Sequence, residues 1–544
     1  MTAQRFDVVV VGAGPCGLLT ALLLARHRLR VAVYDRKREL VDHPKAMGIS
    51  RRSAEILQQL GLREQMKASD LLPPEYSLSR WTESLVGEEY GRVPLQPPVP
   101  DIAPYPAFHC PQPVTERVLL DALEREMDAS IFFDHDVTSL TDCDGVVKLS
   151  VHRARWDQTI EVEARFVVAA DGASSPVRHW LGIEGVGPGD LGHFLNTYFR
   201  APYGEHLKGR RAVLQNILRR DLFEIFVAVN GDDLWLMHHF LDEGEKPADF
   251  PKERLAEIIR SASGLPDVPV EVLSVTQWVM SPKIATQFRK GNVFLTGDAS
   301  ARLSPAAGLG MNTGLQSAHN LAWKLAAVVR GAPEALLDTY DSERRGHVMR
   351  TFEMSNDFGS EVWETVTAGL AGDTARVREL VAQSRRAGSG LGIDLGWKYE
   401  KGAFVPEATA SPAPMDLDTY TPSAEPGRRA PHVWIEREGT RLSTLDFFGR
   451  GFVLLVAGDP SPWKGATTLP AKSGGFPLEL FSIGGSEGYA DVDGRFLGEY
   501  GLQPGGAVLV RPDGVVAWRT VTPPQDPAAA VSSALERTLS GVSA

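Results

Sequence analysis

Phe6-Asp7-Val8-Val9-Val10-Val11-Gly12-Ala13-Gly14-Pro15-Cys16-Gly17 opens the first legible unit of the chain. Phe6 to Val11 reads as a near-continuous apolar strand, the pattern expected when both faces of a parallel sheet are covered. Gly12, Gly14 and Gly17 give the spacing G-x-G-x-x-G, with Pro15 inside it. Leu18 to Arg26 then has helical character, and Val31 to Tyr34 forms a second strand ending at Asp35. Alone, the glycine spacing is weak evidence. Within a strand–turn–helix–strand frame closed by an acid, it predicts a dinucleotide site. The first glycine permits the tight turn, the second lets a pyrophosphate approach the backbone, and the third allows close helix–strand packing. Asp35, with Arg36 beside it, suits an unphosphorylated adenosine ribose, so FAD or NAD rather than NADP is expected here.

A second stretch has the same logic. Val293 to Thr296 reads as a strand stopping at Gly297-Asp298, and Ser304-Pro305-Ala306-Ala307-Gly308-Leu309-Gly310-Met311-Asn312-Thr313-Gly314 follows. Leu315 to Val329 then carries apolar residues at helical spacing. A glycine-punctuated loop feeding a helix offers free N–H groups and a positive dipole end to something anionic. Asp298 only accepts hydrogen bonds as a carboxylate, so it suits a ribityl or ribose hydroxyl rather than a phosphate.

At 544 residues the chain has room for two or three domains. A formal charge of -12 and a pI near 5.6 argue against a nucleic-acid or anionic-membrane surface. No apolar run approaches the roughly 20 residues of a membrane span, and the N-terminus leads straight into the first strand. A cytoplasmic protein is expected. Cys16, Cys110 and Cys143 lie far apart without C-x-x-C, which excludes a disulfide framework and a cysteine-based metal site.

Lys45-Ala46-Met47-Gly48-Ile49-Ser50-Arg51-Arg52 places cations where they could neutralise a pyrophosphate; Lys45 and Arg52 are the candidates, against a plain solvated loop. Residues 72–107 read as an irregular excursion from the nucleotide-binding domain. Gln112 precedes a helix beginning near Val114. Arg165 to Ala170 is another buried strand, ending at Asp171-Gly172-Ala173-Ser174-Ser175-Pro176-Val177-Arg178, where Ser175 can cap a short helix.

These three motifs, in this order, resemble the single-component FAD-dependent aromatic hydroxylases of the phenol and aromatic-polyketide type. The resemblance covers roughly residues 5–400. It implies that Gly12, Gly14, Gly17 and Asp35 hold the ADP end of FAD and that Gln112 touches the flavin. It further implies that Asp171 meets both FAD and a passing NADH or NADPH, that Gly297 and Asp298 contact the ribityl chain, and that Pro305 to Asn312, with Gly308, Gly310 and Met311, underlie the isoalloxazine ring. The implied reaction transfers one oxygen of O2 to an electron-rich aromatic through a flavin C4a-hydroperoxide. Ala301 stands where His is usual, Lys45 where Arg is usual, and Ser317 where Asp is common; altered flavin affinity or mobility is expected from them.

Residues 181–280 change to short alternating strands, Asn196 to Phe199, Leu222 to Val229 and Leu234 to Phe240, returning through Val275 to Met280. Trp235, Met237 and His239 share one face; Leu234, Leu236, His238 and Phe240 share the other. Periodicity does not say which face meets substrate. Tyr198, Phe226, Trp235, Met237, Trp278 and Met280 are the candidate pocket wall, and His239 the candidate catalytic base, each against ordinary sheet packing. Pro305 and Gly308 complete the catalytic candidates, and no metal is expected.

The expected fold is therefore α/β: a Rossmann-like FAD-binding domain with an inserted antiparallel-sheet substrate domain. Its boundaries are 1–180, 181–280 and 281–400. A linker follows at 401–430, including Ser411-Pro412-Ala413-Pro414. Residues 431–544 resemble the thioredoxin-like C-terminal domain of phenol and polyketide hydroxylases but contain no cysteine, which excludes thiol redox chemistry and leaves packing or homodimer formation as their role. A halogenase would carry W-x-W-x-I-P, which is absent. Baeyer–Villiger oxygenation, another flavin oxidoreductase, and a catalytically silent FAD-binding protein stay open.

Overall fold

The computed structural model describes residues 4–68, 72, 76–95, 101–143, 145–384, 390–407, 416–468, 474–485 and 488–541. Its centre is a sheet with a parallel core. Gln4–Val11 lies between Gln158–Ala169 and Val31–Asp35, with Val293–Leu295 and Ala129–Phe133 outside them. Val9 pairs with Ala32 on one side and Val167 on the other. Helices Pro15–Arg26, Gln112–Leu123 and Gly310–Val329 pack against this sheet, so Val8, Val9 and Val10 are fully buried. A hairpin of His135–Cys143 and Val146–Arg153 extends the sheet, a feature with no expectation above.

A second sheet of seven strands stands beside the first, in the order Glu271–Met280, Gly192–Arg200, Leu234–Leu241, Leu222–Ala228, Leu214–Arg219, Leu78–Thr82, Glu89–Pro94. Two of these strands come from the 72–107 region. Helix Lys252–Ser263 covers one face through Leu255, Ile259 and Ala262. The 33-residue helix Asp338–Leu370 bounds the other side through Phe358, Val362 and Trp363.

The C-terminal unit holds a mixed sheet, Leu478–Ile483, Phe452–Ala457, Ala507–Val510 and Val516–Thr520, closed by helix Pro527–Ser540. Phe452–Ala457 is apolar throughout because both of its faces are occupied. Phe452, Leu454 and Val456 join the nucleotide-domain core, Phe452 edge-on to Trp323 at 5.9 Å, while Val453 and Leu455 build a local core. Charges bind the two units as well. Glu343 accepts from Lys324 Nζ at 2.8 Å and from Arg511 Nη1 at 2.7 Å, all three side chains fully buried. Burial alone would raise the Glu343 carboxyl, and the Arg511 and Lys324 charges reverse this, holding it down to about 2. Arg511 also grips Asp513 in the turn at Arg511–Gly514.

The 401–430 linker is corrected where it is described. Ala403, Phe404, Ala424 and Ala430 are buried, Ala403 N donates to Glu343 Oε1 at 2.7 Å, and Gly427 N donates to Val516 O at 2.9 Å. Small residues and satisfied backbone groups make it a packed strap. Ser411 to Pro414 lie outside the described residues.

Candidate functional site

A cavity of ≈ 1980 Å³ runs from the ends of the parallel strands to the seven-stranded sheet. That exceeds the several hundred Å³ typical of a small-ligand pocket, so it can hold a dinucleotide together with a second molecule. At one end lie Gly12, Gly14, Pro15, Asp35 and Arg36. Gly12 has φ +105°, and a Cβ there would sit 2.4 Å from Ala170 O. A Cβ on Gly17 would sit 1.9 Å from Gly12 O; Gly17 packs beneath the turn and does not line the cavity. A Cβ on Gly14 would meet nothing within 4 Å, so the backbone there is open to a ligand. The helix it starts has no side-chain cap. Asp35 Oδ2 accepts from Ala13 N at 2.7 Å and faces the same cavity.

The middle of the cavity is lined by Lys45, Gln112, Asp171, Gly297, Asp298, Pro305, Gly308, Gly310, Met311 and Asn312. The Asp298 side chain has no hydrogen-bond partner among the described residues; it opens on the cavity, and desolvation by the surrounding protein raises its carboxyl against the pull of Arg302 and Lys45. Asp171 accepts from Ser175 Oγ at 2.6 Å and Val177 N at 3.1 Å. Helix Gly310–Val329 begins without a side-chain cap, and its first residues, Gly310 to Asn312, line the cavity, so its leading N–H groups are left without a side-chain partner there. Asn312 ties this loop down: its Oδ1 accepts from Ser50 N at 2.8 Å and its Nδ2 donates to Gly48 O at 3.1 Å. Asp394 braces the same corner, accepting from Ser50 Oγ at 2.8 Å and Gln316 Nε2 at 3.1 Å.

Ala301 and Ser317, two of the departures noted above, serve the scaffold. Ala301 pairs with Ile284 in a short sheet, and Ser317 Oγ accepts from Arg344 Nε at 3.1 Å.

Five candidates are displaced. Arg52 points away from the cavity, donating to Glu55 at 2.7 Å and to Asp513 O at 2.6 Å. Helical residues advance about 100° each, so Arg51, at the helix start, takes the cavity side instead. Phe226, Trp235 and Met237 are fully buried behind the sheet, under helix Lys252–Ser263. His239 shares that face, with Nδ1 2.6 Å from Glu224 Oε1 and its ring 4.7 Å from Phe250. Burial would lower the His239 pKa, but Glu224 outweighs it and the net shift is upward. The strand period of two puts the neighbouring residues in the cavity: Phe223, Ile225, Val227 and His238. Of the other pocket candidates, Trp278 and Met280 line the cavity. Tyr198 shares their side but stands beyond the lining, edge-on to His43.

The sequence reading missed Met354, Phe358 and Val362, which reach the cavity from the long helix. Their spacing of four is visible in the sequence but looks like any core stripe.

Comparison with known proteins fits this geometry. A family described as "FAD binding domain" matches residues 5–355, and "Aromatic-ring hydroxylase, C-terminal" matches residues 423–541. The chain belongs to the FAD-dependent aromatic-ring monooxygenases. It is an oxidoreductase of that family. It is 34% identical, over 100% of its length and 98% of the relative's, to tetracenomycin A2 monooxygenase-dioxygenase of Streptomyces glaucescens. The solved flavin-dependent monooxygenase PieE, in complex with FAD and substrate, superposes with a TM-score of 0.90 at 27% identity, covering 99% of both chains. A ternary complex of aklavinone-11 hydroxylase with FAD and aklavinone gives 0.85 at 30% identity, covering 99% of this chain and 100% of that one.

Proposed function

We propose that this chain hydroxylates an electron-rich, fused-ring aromatic of the polyketide type, using FAD, O2 and NADH or NADPH. The observation that carries the reading is one uninterrupted cavity joining Asp35, Asp298 and the Pro305–Asn312 loop to an aromatic sheet face. The open backbone at Gly14, the uncapped helix starts and the unpartnered Asp298 carboxylate fit FAD. Gly12, Gly14, Pro15 and Asp35 would hold the adenosine and pyrophosphate, Lys45 and Arg51 would balance phosphate charge, and Asp298 would accept from the ribityl chain. When bound, FAD supplies hydride acceptance and oxygen activation.

The protein's own part is orientation and exclusion of water. The N–H groups of Gly310 to Asn312 would stabilise negative charge at the flavin edge nearest the helix start. Trp278, Phe194 and Phe223 on the sheet, with Phe358 and Trp363 on the long helix, give the far end of the cavity an apolar lining. Water admitted there would divert the activated oxygen to hydrogen peroxide. Residues 431–544 are read as a thioredoxin-like scaffold unit that seats the helices of the nucleotide domain.

The test is reconstitution with FAD followed by NADH and NADPH oxidation in the presence of polycyclic phenols, with product mass. Ligand-stimulated oxidation and a product one oxygen heavier are expected. A protein that takes up no flavin, or whose NAD(P)H oxidation no aromatic stimulates, would refute the proposal.

A further inference from the structure

The cavity face of the seven-stranded sheet is ordered in transverse rows. Thr276, Asn196, His238, Ile225 and Asn216 are successive cross-strand partners, and all five line the cavity. Beside them runs an aromatic row, Trp278, Phe194 and Phe240, with ring centroids 5.1 and 5.3 Å apart. On the other side the paired residues are Ser274, Tyr198, Leu236 and Val227. A polar row is thus enclosed by two less polar ones, and none of these residues carries a carboxylate, guanidinium or ammonium.

Two members of the polar row lack partners. Asn196 is only 7% exposed, yet its Oδ1 has no hydrogen-bond partner. The His238 side chain makes no hydrogen bond among the described residues, and burial, with His43 nearby, lowers its pKa to about 4, so the ring is neutral. Thr276, by contrast, is already paired, its Oγ1 3.0 Å from His43 Nε2. Asn216 is anchored, its Nδ2 donating to Ser79 Oγ at 2.9 Å. A buried polar group left unpaired, as Asn196 Oδ1 is, costs about 1–3 kcal/mol, and the partly exposed His238 ring beside it opens on the cavity, so the row is built for a ligand that completes it.

We infer that His238 and Asn196 are specificity-determining residues, reading the oxygenated edge of a neutral, planar fused-ring substrate whose faces rest among the neighbouring aromatic side chains. The inference rests on the monooxygenase reading and deepens it. Neighbouring strands are about 5 Å apart, close to the separation of the outer oxygens in a peri-oxygenated ring edge. A neutral imidazole nitrogen accepts from a phenol, and an asparagine amide can meet either a hydroxyl or a carbonyl. An anionic carboxylate would find no cation in the row.

The FAD-loaded protein should be titrated calorimetrically with peri-dihydroxyanthraquinone, unsubstituted anthraquinone and an anthraquinone carboxylate. The dihydroxy compound should bind about tenfold tighter than anthraquinone. His238→Leu and Asn196→Leu should each remove most of that preference while leaving anthraquinone affinity nearly unchanged, and His238→Gln should restore part of it. A preference insensitive to both Leu variants, tightest binding of the carboxylate, or binding of none of the three overturns the assignment. Failure to take up flavin sinks the monooxygenase reading itself; a flavin-loaded protein without the preference sinks only this inference.

Discussion

The nucleotide end of the cavity is made of backbone, whereas its sheet end is made of side chains. At Gly12 and Gly17 the site consists of space and dihedral angle that no side chain fits, and at Gly14 of backbone left open to a ligand. At Asn196, Phe223 and His238 the backbone is ordinary strand, and the site is whatever side chain faces inward. The first kind of site tolerates almost no substitution. The second can be repainted residue by residue, which suits a family whose relatives carry the names of different substrates.

The contrast breaks most visibly at Gly17→Ala. A methyl group 1.9 Å from Gly12 O must push the helix off the strand. Overpacking of about 3 kcal/mol would weaken FAD binding by roughly a hundredfold, read by equilibrium dialysis against flavin absorbance. Retention of wild-type affinity would show that the backbone cradle is not the site's essential part.

A smaller effect separates the two faces of the sheet. His239→Leu leaves Glu224 buried and unpaired, so it should cost about 1–3 kcal/mol in urea denaturation. Turnover per folded, flavin-loaded molecule should stay within about twofold, because His239 lies behind the sheet and off the cavity. A large loss of turnover without a loss of stability would return His239 to the catalytic list.

A third effect is a dependence on pH. His238 has a folded pKa of about 4 against an ordinary value of 6.5, so between those values the unfolded chain binds more protons. Its contribution is therefore complete above pH 6.5 and is lost as pH falls toward 4. Denaturation midpoints of His238→Gln should gain on wild type across that window and run parallel above it. Parallel curves throughout would mean that His238 is not held neutral.

How much could be read beforehand follows the same division. Gly12 to Asp35 and Asp298 to Asn312 were legible because backbone geometry restricts residue choice so tightly that the letters betray it. The sheet insertion was legible as strands, but not as a surface. A strand is known from its letters only up to a phase, and Trp235, Met237 and His239 make as good a face as Leu236 and His238 until something covers one of them. Helix Lys252–Ser263 does the covering. Arg52 fell to a similar ambiguity, one step around a helix from Arg51. The strap at 401–430 misled differently, since its proline and small residues describe a chain without regular structure and say nothing of whether it is packed.

The buried quartet of Lys324, Glu343, Arg511 and Asp513 has a bearing on inheritance. A gene shortened at the seam would encode long helices in which Glu343 keeps Lys324 but loses Arg511, leaving a buried ion pair without the guanidinium that completes it, a worse product than a merely shorter enzyme. Descendants of this protein can vary their aromatic wall freely, but they must pass on the tail and the catalytic body together.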